Sequence, residues 1–223
     1  MCGRVVYGSS ASIAEKLGVK DSEMPREGDL NAFPYGGTYL FGIVDRKPDT
    51  LMHMHWPLIP SFAHEQPKYN TSNARSEDMH EKASYKNLLG KRHCIIAVDG
   101  FYEWERTGDK NPYYFSMADG SQMKYAGLYD YNTKIGDPVL SCTIITREPN
   151  EIVGEIHNRM PVILTDDQIK IWLDMSLSYE ERKKVLIPIE NSALLRRVID
   201  KSVNKAGNKS GDWFGEEGAP CLF

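Results

Sequence analysis

Residues 112–131 read PYYFSMADGSQMKYAGLYDY. Two runs dense in aromatic side chains, Pro112 to Met117 and Lys124 to Tyr131, flank Asp119-Gly120. Aromatic and β-branched residues favour the pleated, half-buried surface of a sheet, and an Asp-Gly pair supplies the left-handed backbone of a tight turn. The stretch therefore predicts two strands joined as a hairpin. Similar runs lie on either side, at Leu40 to Val44, Cys94 to Val98 and Val139 to Thr146. Helices are signalled at three places. Ser12 stands three residues before Glu15, Thr165 before Gln168 and Ser178 before Glu181, the spacing of a capping box, and Gly18 offers a stop for the first. The expected class is α+β: a single compact domain over residues 1–223, with an antiparallel β-rich, barrel-like core and flanking helices. The tail from Val203 to Phe223, rich in Asn, Gly, Lys and Ser, reads as loop.

Composition narrows the function. With 223 residues and 41% hydrophobic content the chain is long enough to bury one good core. No run approaches the roughly 18 apolar residues of a membrane span, and the N-terminus lacks an apolar leader, so a soluble intracellular protein without membrane partners is expected. Cys2, Cys94, Cys142 and Cys221 form no CxxC pair, which points to free thiols. The net charge of −4 means that any nucleic-acid contact must come from a local group of arginines. His53 and His55 alternate along a strand, but no cysteine or carboxylate pair stands at ligand spacing beside them, and neither a metal nor a cofactor is expected.

Four segments carry candidate chemistry. Removal of Met1 would make Cys2 the N-terminal residue, a 1,2-aminothiol. Its α-amine has a reference pKa of about 7.7–8.0, well below that of lysine, so a useful fraction is a free nucleophile at neutral pH. Such an amine forms an imine with an aldehyde, and the adjacent thiol then closes a five-membered thiazolidine. In Val98-Asp99-Gly100-Phe101-Tyr102-Glu103-Trp104 an acid sits between two aromatic residues, which would desolvate it and raise its pKa toward the range of general acid–base work. Alternatively Glu103 is a strand carboxylate facing solvent. In the segment from Glu155 to Leu164, His157 and Arg159 fall at i, i+2 spacing and can share a face. A histidine titrates near neutrality, and an arginine fork suits phosphate. Asn73 and Arg75 stand out in an otherwise polar loop from Asn70 to Glu77.

The order of these segments resembles the SRAP (SOS response-associated peptidase) family of abasic site processing proteins. The resemblance rests on Met1 to Arg4, Asn31 with Pro34, Trp56 with Leu58 to Pro60, Asn73 to Arg75 with Glu77, Gly100 to Trp104, and His157 to Leu164. It implies the SRAP fold and a covalent thiazolidine crosslink between Cys2 and abasic sites in single-stranded DNA, shielding the strand from cleavage. On this resemblance Cys2 supplies amine and thiol, Asn73 holds Cys2 and the sugar, Glu103 transfers protons and His157 acts at the sugar. Arg4, Arg75 and Arg159 become phosphate contacts, Asn31 and Pro34 line the site, and Trp56 and Phe62 complete the DNA-binding set. The expected partners are single-stranded DNA with abasic sites and replication-fork proteins, with the chain a monomer, cytoplasmic and nucleoid-associated in a bacterium or phage and nuclear in a eukaryote. Two further readings stay open: a cysteine peptidase with an N-terminal nucleophile, acting on other chains or autoproteolytically, and a noncatalytic single-stranded DNA binder. Local departures are Pro57 after Trp56, Phe62 in place of a common tryptophan, and Asn31-Ala32-Phe33-Pro34 in the N-terminal loop.

Overall fold

The computed structural model describes residues 3–217, without the side chains of 216 and 217. The first third holds β1 (Val5–Tyr7), α1 (Ser10–Leu17), β2 (Lys20–Asp21), β3 (Asp29–Ala32), β4 (Tyr39–Val44), β5 (Lys47–His55) and β6 (Asn73–Arg75). The middle holds β7 (His93–Val98), β8 (Gly100–Trp104), β9 (Pro112–Met117), β10 (Met123–Asn132) and β11 (Val139–Arg147). After these come α2 (Glu151–Gly154), β12 (Met160–Pro161), α3 (Asp166–Leu173), α4 (Tyr179–Arg182) and β13 (Leu194–Val198). This is the α+β, β-rich arrangement expected, and all five strands read from composition are present.

The strands divide into two sheets. One runs β13-β9-β8-β1-β3, the other β12-β11-β10-β7-β4-β5-β2, with β6 pairing β11. A bridge between Ser141 and His55 ties β11 back to β5, so β5-β4-β7-β10-β11 return on themselves around an apolar interior. The Asp119-Gly120 expectation needs a correction. Gly120 does take φ +73° in a tight turn, but β9 pairs β8 and β13 while β10 pairs β7 and β11. The turn thus hands the chain from one sheet to the other instead of closing a hairpin. A dipeptide fixes the local reversal; which strands then pair is settled by where their apolar faces are buried.

The helix caps follow the same logic. Thr165 with Gln168 and Ser178 with Glu181 form complete capping boxes. The first helix starts earlier than expected: Ser9 is its N-cap, accepting from the Ser12 N–H, and Gly18 ends it in the left-handed conformation. The segment expected to be loop also differs. Lys201–Asn204 and Asp212–Glu217 wind into short 3-10 turns, and Val203, Trp213 and Phe214 are buried against Tyr102 and Tyr114. Two rings in a polar stretch suffice to dock it, because each large aromatic removes considerable apolar area from water.

Candidate active site

β8 lies between β1 and β9, with Val5 opposite Phe101 and Glu103 opposite Tyr113. Side chains alternate along a strand, so Phe101 and Glu103 share one face and Tyr102 and Trp104 the other. Phe101 stacks on Phe115 at 4.7 Å in the main core. Tyr102 instead packs with Trp213, its hydroxyl donating to the Leu30 carbonyl at 2.7 Å. The flanking aromatics therefore do not bury Glu103, as the sequence suggested; the sheet face does. Glu103 is 4% exposed, and that desolvation lifts its carboxyl from 4.5 to about 7.

His157 approaches from the turn after α2. The Asn150 side chain caps that helix, and the His157 N–H donates to the Val153 carbonyl at 2.8 Å, which fixes the ring at the helix exit. Its Nδ1 stands 3.9 Å from Glu103 Oε1 and lies 3.1 Å from the Arg159 backbone N–H and 3.2 Å from the Arg159 carbonyl oxygen, so the Arg159 main chain anchors the ring in either tautomer. Burial, with Arg106 and Arg159 nearby, lowers the imidazole pKa. Both shifts disfavour charge. Near pH 7 the two form a neutral acid and a neutral base more than an ion pair, an arrangement able to pass protons in either direction.

Asn73 opens β6, which runs parallel to β11 with Asn73 opposite Ile144 and Arg75 opposite Thr146. β12 meets the same end of β11, pairing Thr146 with Pro161. Asn73 and His157 are thus carried to one end of β11. Trp56 supports the arrangement from beneath: it is fully buried, and its indole N–H donates at 2.9 Å to the carbonyl of Ser72, which also accepts the Ile144 N–H. The expected base contact from Trp56 is not available at a ring with no exposed surface; its indole positions Asn73's strand instead. Asn73 in turn donates to Ser72 Oγ at 3.0 Å and lines a 350 Å³ cavity with Tyr69, Arg75, Lys82 and Tyr85.

The arginines divide sharply. Arg75 is exposed beside that cavity. Arg159 is 8% exposed, and its fork is engaged bidentately by Glu77 at 2.9 and 2.8 Å and by the Thr146 carbonyl at 2.7 Å. It straps β12's approach to β6's exit. Arg4 donates to Asn31 Oδ1 and to the Val203 carbonyl at 3.1 Å, with its guanidinium over Phe33 and Trp104. Asn31 is fully buried; its amide donates to Val203, Lys205 and Asn208 carbonyls at 3.0–3.2 Å. An amide committed to three carbonyls holds the C-terminal segment and has no surface with which to line a DNA site. Pro34 is half-buried, and Phe62 presents 48% of its surface. Sequence reasoning passed over Tyr35, 49% exposed at φ +69°, whose hydroxyl donates to Asn70 at 3.4 Å, and over Tyr69, 55% exposed at the mouth of the same cavity. The lone signal was a Pro-Tyr-Gly-Gly turn. Cys2 lies outside the described residues; Gly3, which follows it, continues the β1 register alongside Glu103, as the Tyr102 N–H to Arg4 carbonyl bond shows.

Cys94 and Cys142 are buried free thiols, pushed up in pKa by burial. His53 Nε2 binds Asp21 at 2.6 Å and His55 Nδ1 meets the Pro57 carbonyl at 2.9 Å, and no group of three metal-ligating side chains occurs among the described residues. Nor is any helix among them long and apolar enough to cross a membrane.

Comparison with known proteins assigns the family. The model of the family described as SOS response associated peptidase (SRAP) matches residues 1–206. The abasic site processing protein YoqW of Bacillus subtilis is 34% identical over 220 residues, covering 94% of this chain and 97% of its own. YobE of the same organism, also named an abasic site processing protein, is 37% identical, covering 92% and 96%. The abasic site processing protein HMCES of Gallus gallus is 36% identical over 74% of this chain and 56% of its own. A crystal structure of a Bacteroides thetaiotaomicron protein superposes with TM-score 0.80 at 24% identity, covering 91% of this chain and 93% of that one. With a family match over most of its length and relatives above 30% identity across nearly the whole chain, this protein belongs to the SRAP family.

Proposed function

We propose that this protein processes abasic sites in single-stranded DNA by forming a covalent crosslink through Cys2 after Met1 is removed. The observation that carries the reading is the Glu103–His157 pair, 3.9 Å apart and buried where the β1 register leads toward the N-terminus. The Cys2 amine adds to C1 of the ring-opened sugar and gives a carbinolamine. Glu103, protonated in part near neutrality, donates to the departing hydroxyl, and water leaves as the imine forms. The thiol sulfur then bonds to the imine carbon while its proton passes to nitrogen, which completes the thiazolidine with net loss of one water. Closure removes the imine that would otherwise promote β-elimination and strand breakage. His157, anchored at Nδ1 by the Arg159 main chain, hydrogen-bonds the sugar oxygen through Nε2 as the ring opens. Asn73 orients the sugar, and Arg75 takes a flanking phosphate.

The relatives' printed names, abasic site processing proteins from a bacterium and a vertebrate, support the substrate. The family's printed description as a peptidase keeps one rival, hydrolysis by a Cys2 thiol with His157 as its base. Intact-mass analysis separates them. The chain incubated with a single strand bearing one abasic site gains the mass of the strand less one water, and an added peptide stays whole. Cys2→Ala abolishes the adduct; Cys2→Ser leaves a borohydride-trappable imine, since its amine survives. Full, denaturation-resistant stability of the Cys2→Ser adduct would overturn thiazolidine closure, and peptide cleavage without a DNA adduct would favour the rival.

A further inference from the structure

A second cavity, of about 690 Å³, opens where the β4–β5 and β10–β11 hairpins meet, and shares no lining residue with the pockets beside His157 and Asn73. Its size falls within the roughly 300–1,000 Å³ of small-molecule sites. Val44, Met52, Val139 and Leu140 make an apolar floor, and Tyr39 and Tyr131 bring aromatic rings to it. Tyr131 is 46% exposed, a large ring left in solvent at the mouth.

The rim is built from cations. β4 and β7 pair with Val44 opposite Cys94, and Arg46 sits in the β4–β5 turn just beyond, lining the cavity together with Lys47 and Arg92. Arg92 has Asp130 at 3.4 Å, whereas no ion pair or hydrogen bond joins Arg46 or the neighbouring Lys47 to any described carboxylate. Tyr129 lies within reach of both guanidinium groups: burial and Asp45, to which its hydroxyl donates at 3.1 Å, raise its phenol pKa, and Arg46 and Arg92 oppose the rise. At the far side Arg26 lies over the Tyr39 ring at 4.1 Å, balanced by Glu23 at 3.6 Å and by His53, whose Nδ1 accepts from Arg26 Nε at 3.2 Å. Charge near Arg26 is thus locally neutral, and the excess positive charge sits at Arg46 and Lys47, with the Arg92 guanidinium, held by Asp130, beside them. A guanidinium fork and an ammonium without a carboxylate partner, with a second fork beside them, match a phosphate monoester better than a single carboxylate. The apolar floor and the Tyr131 ring beside them suit a planar ring.

We infer that this cavity is a binding site for a phosphate monoester carrying a planar ring, the nucleoside monophosphate class, with the phosphate at Arg46, Lys47 and Arg92 and the ring against Tyr131 and the apolar floor. The same chemistry is offered by a free nucleotide and by the phosphorylated end of a strand. The test is equilibrium binding by calorimetry on the full chain, with adenosine monophosphate, inorganic phosphate and adenosine as probes. Adenosine monophosphate binds saturably, tighter than either part. Arg46→Glu, at an exposed position, weakens it at least tenfold while the melting temperature holds. Tyr131→Ala weakens adenosine monophosphate and leaves inorganic phosphate unchanged. Oligonucleotides with and without a 5′-phosphate then distinguish the sources: Arg46-dependent preference for the phosphorylated end identifies a strand terminus, and its absence alongside nucleotide binding identifies the free nucleotide. Absence of saturable binding, binding indifferent to Arg46→Glu, or inorganic phosphate as tight as the nucleotide overturns the assignment. None of these readouts involves Cys2, so they stand apart from the crosslinking reaction.

Discussion

Glu103 is costly to bury in its charged form, and that cost has a measurable pH dependence. In the unfolded chain its carboxyl titrates near 4.5, in the folded chain at about 7. Between these values the native state holds a proton that the unfolded state has lost, so the favourable contribution is present below pH 4.5 and lost as pH rises through 7. The shift corresponds to up to about 3 kcal/mol at pH 8. Glu103→Gln should therefore raise the melting temperature at pH 8 and leave it nearly unchanged at pH 4, as scanning calorimetry across pH would show. The same substitution should slow crosslinking more than DNA binding and flatten the pH profile between 5 and 8 in single-turnover kinetics. A wild-type rate across that range would make Glu103 a buried structural acid. The carboxylate itself was legible from its motif, but its environment was not. The sequence placed Tyr102 and Trp104 beside it, whereas period-2 alternation turns both to the other face and leaves Phe101 as its same-face neighbour.

Among the elements, β6 and β12 meet one end of β11, and Arg159 joins them through Glu77 and the Thr146 carbonyl. Arg159 and Arg75 should then separate in experiment although the sequence treats them alike. Arg159→Ala leaves a carbonyl and a half-exposed carboxylate without their partner, which costs on the order of 1–3 kcal/mol. It should lower the melting temperature and slow crosslinking by disturbing the His157 turn two residues away. Arg75→Ala should leave the melting temperature alone, weaken binding to intact and abasic single strands equally, and reduce the salt dependence of binding by about one phosphate contact. Equal losses of stability in both variants would contradict this division. Strands, caps and the identity of the site segments were legible because each depends on residues close in sequence. The division between the arginines was not, since Glu77 and Arg159 are brought together only by the shared strand β11.

Over the whole molecule the site straddles the two sheets, with Glu103 on the five-stranded sheet and Asn73 and His157 at the end of β11 on the other. Their mutual geometry depends on how firmly β8 is held from behind, and there the C-terminal segment enters. Trp213, 1% exposed, donates its indole N–H to the Tyr102 hydroxyl at 3.0 Å, and that hydroxyl donates to the Leu30 carbonyl. Asn31 gathers the Val203, Lys205 and Asn208 carbonyls on the same side. The family match covers residues 1–206, and Trp213 lies beyond it. Trp213→Ala removes a buried ring and the hydrogen bond on Tyr102, at a cost of about 3–5 kcal/mol. β8 then loses its backing on the face opposite Glu103. On the proposed function, the crosslinking rate should fall while affinity for intact single strands, assigned there to Arg75, changes little. Trp213→Phe, which keeps most of the ring but not the N–H, should recover most of the melting temperature and most of the rate. If Trp213→Ala instead lowers the melting temperature and leaves the single-turnover rate untouched, β8 is held in place by the sheet alone and the C-terminal segment contributes stability without positioning Glu103.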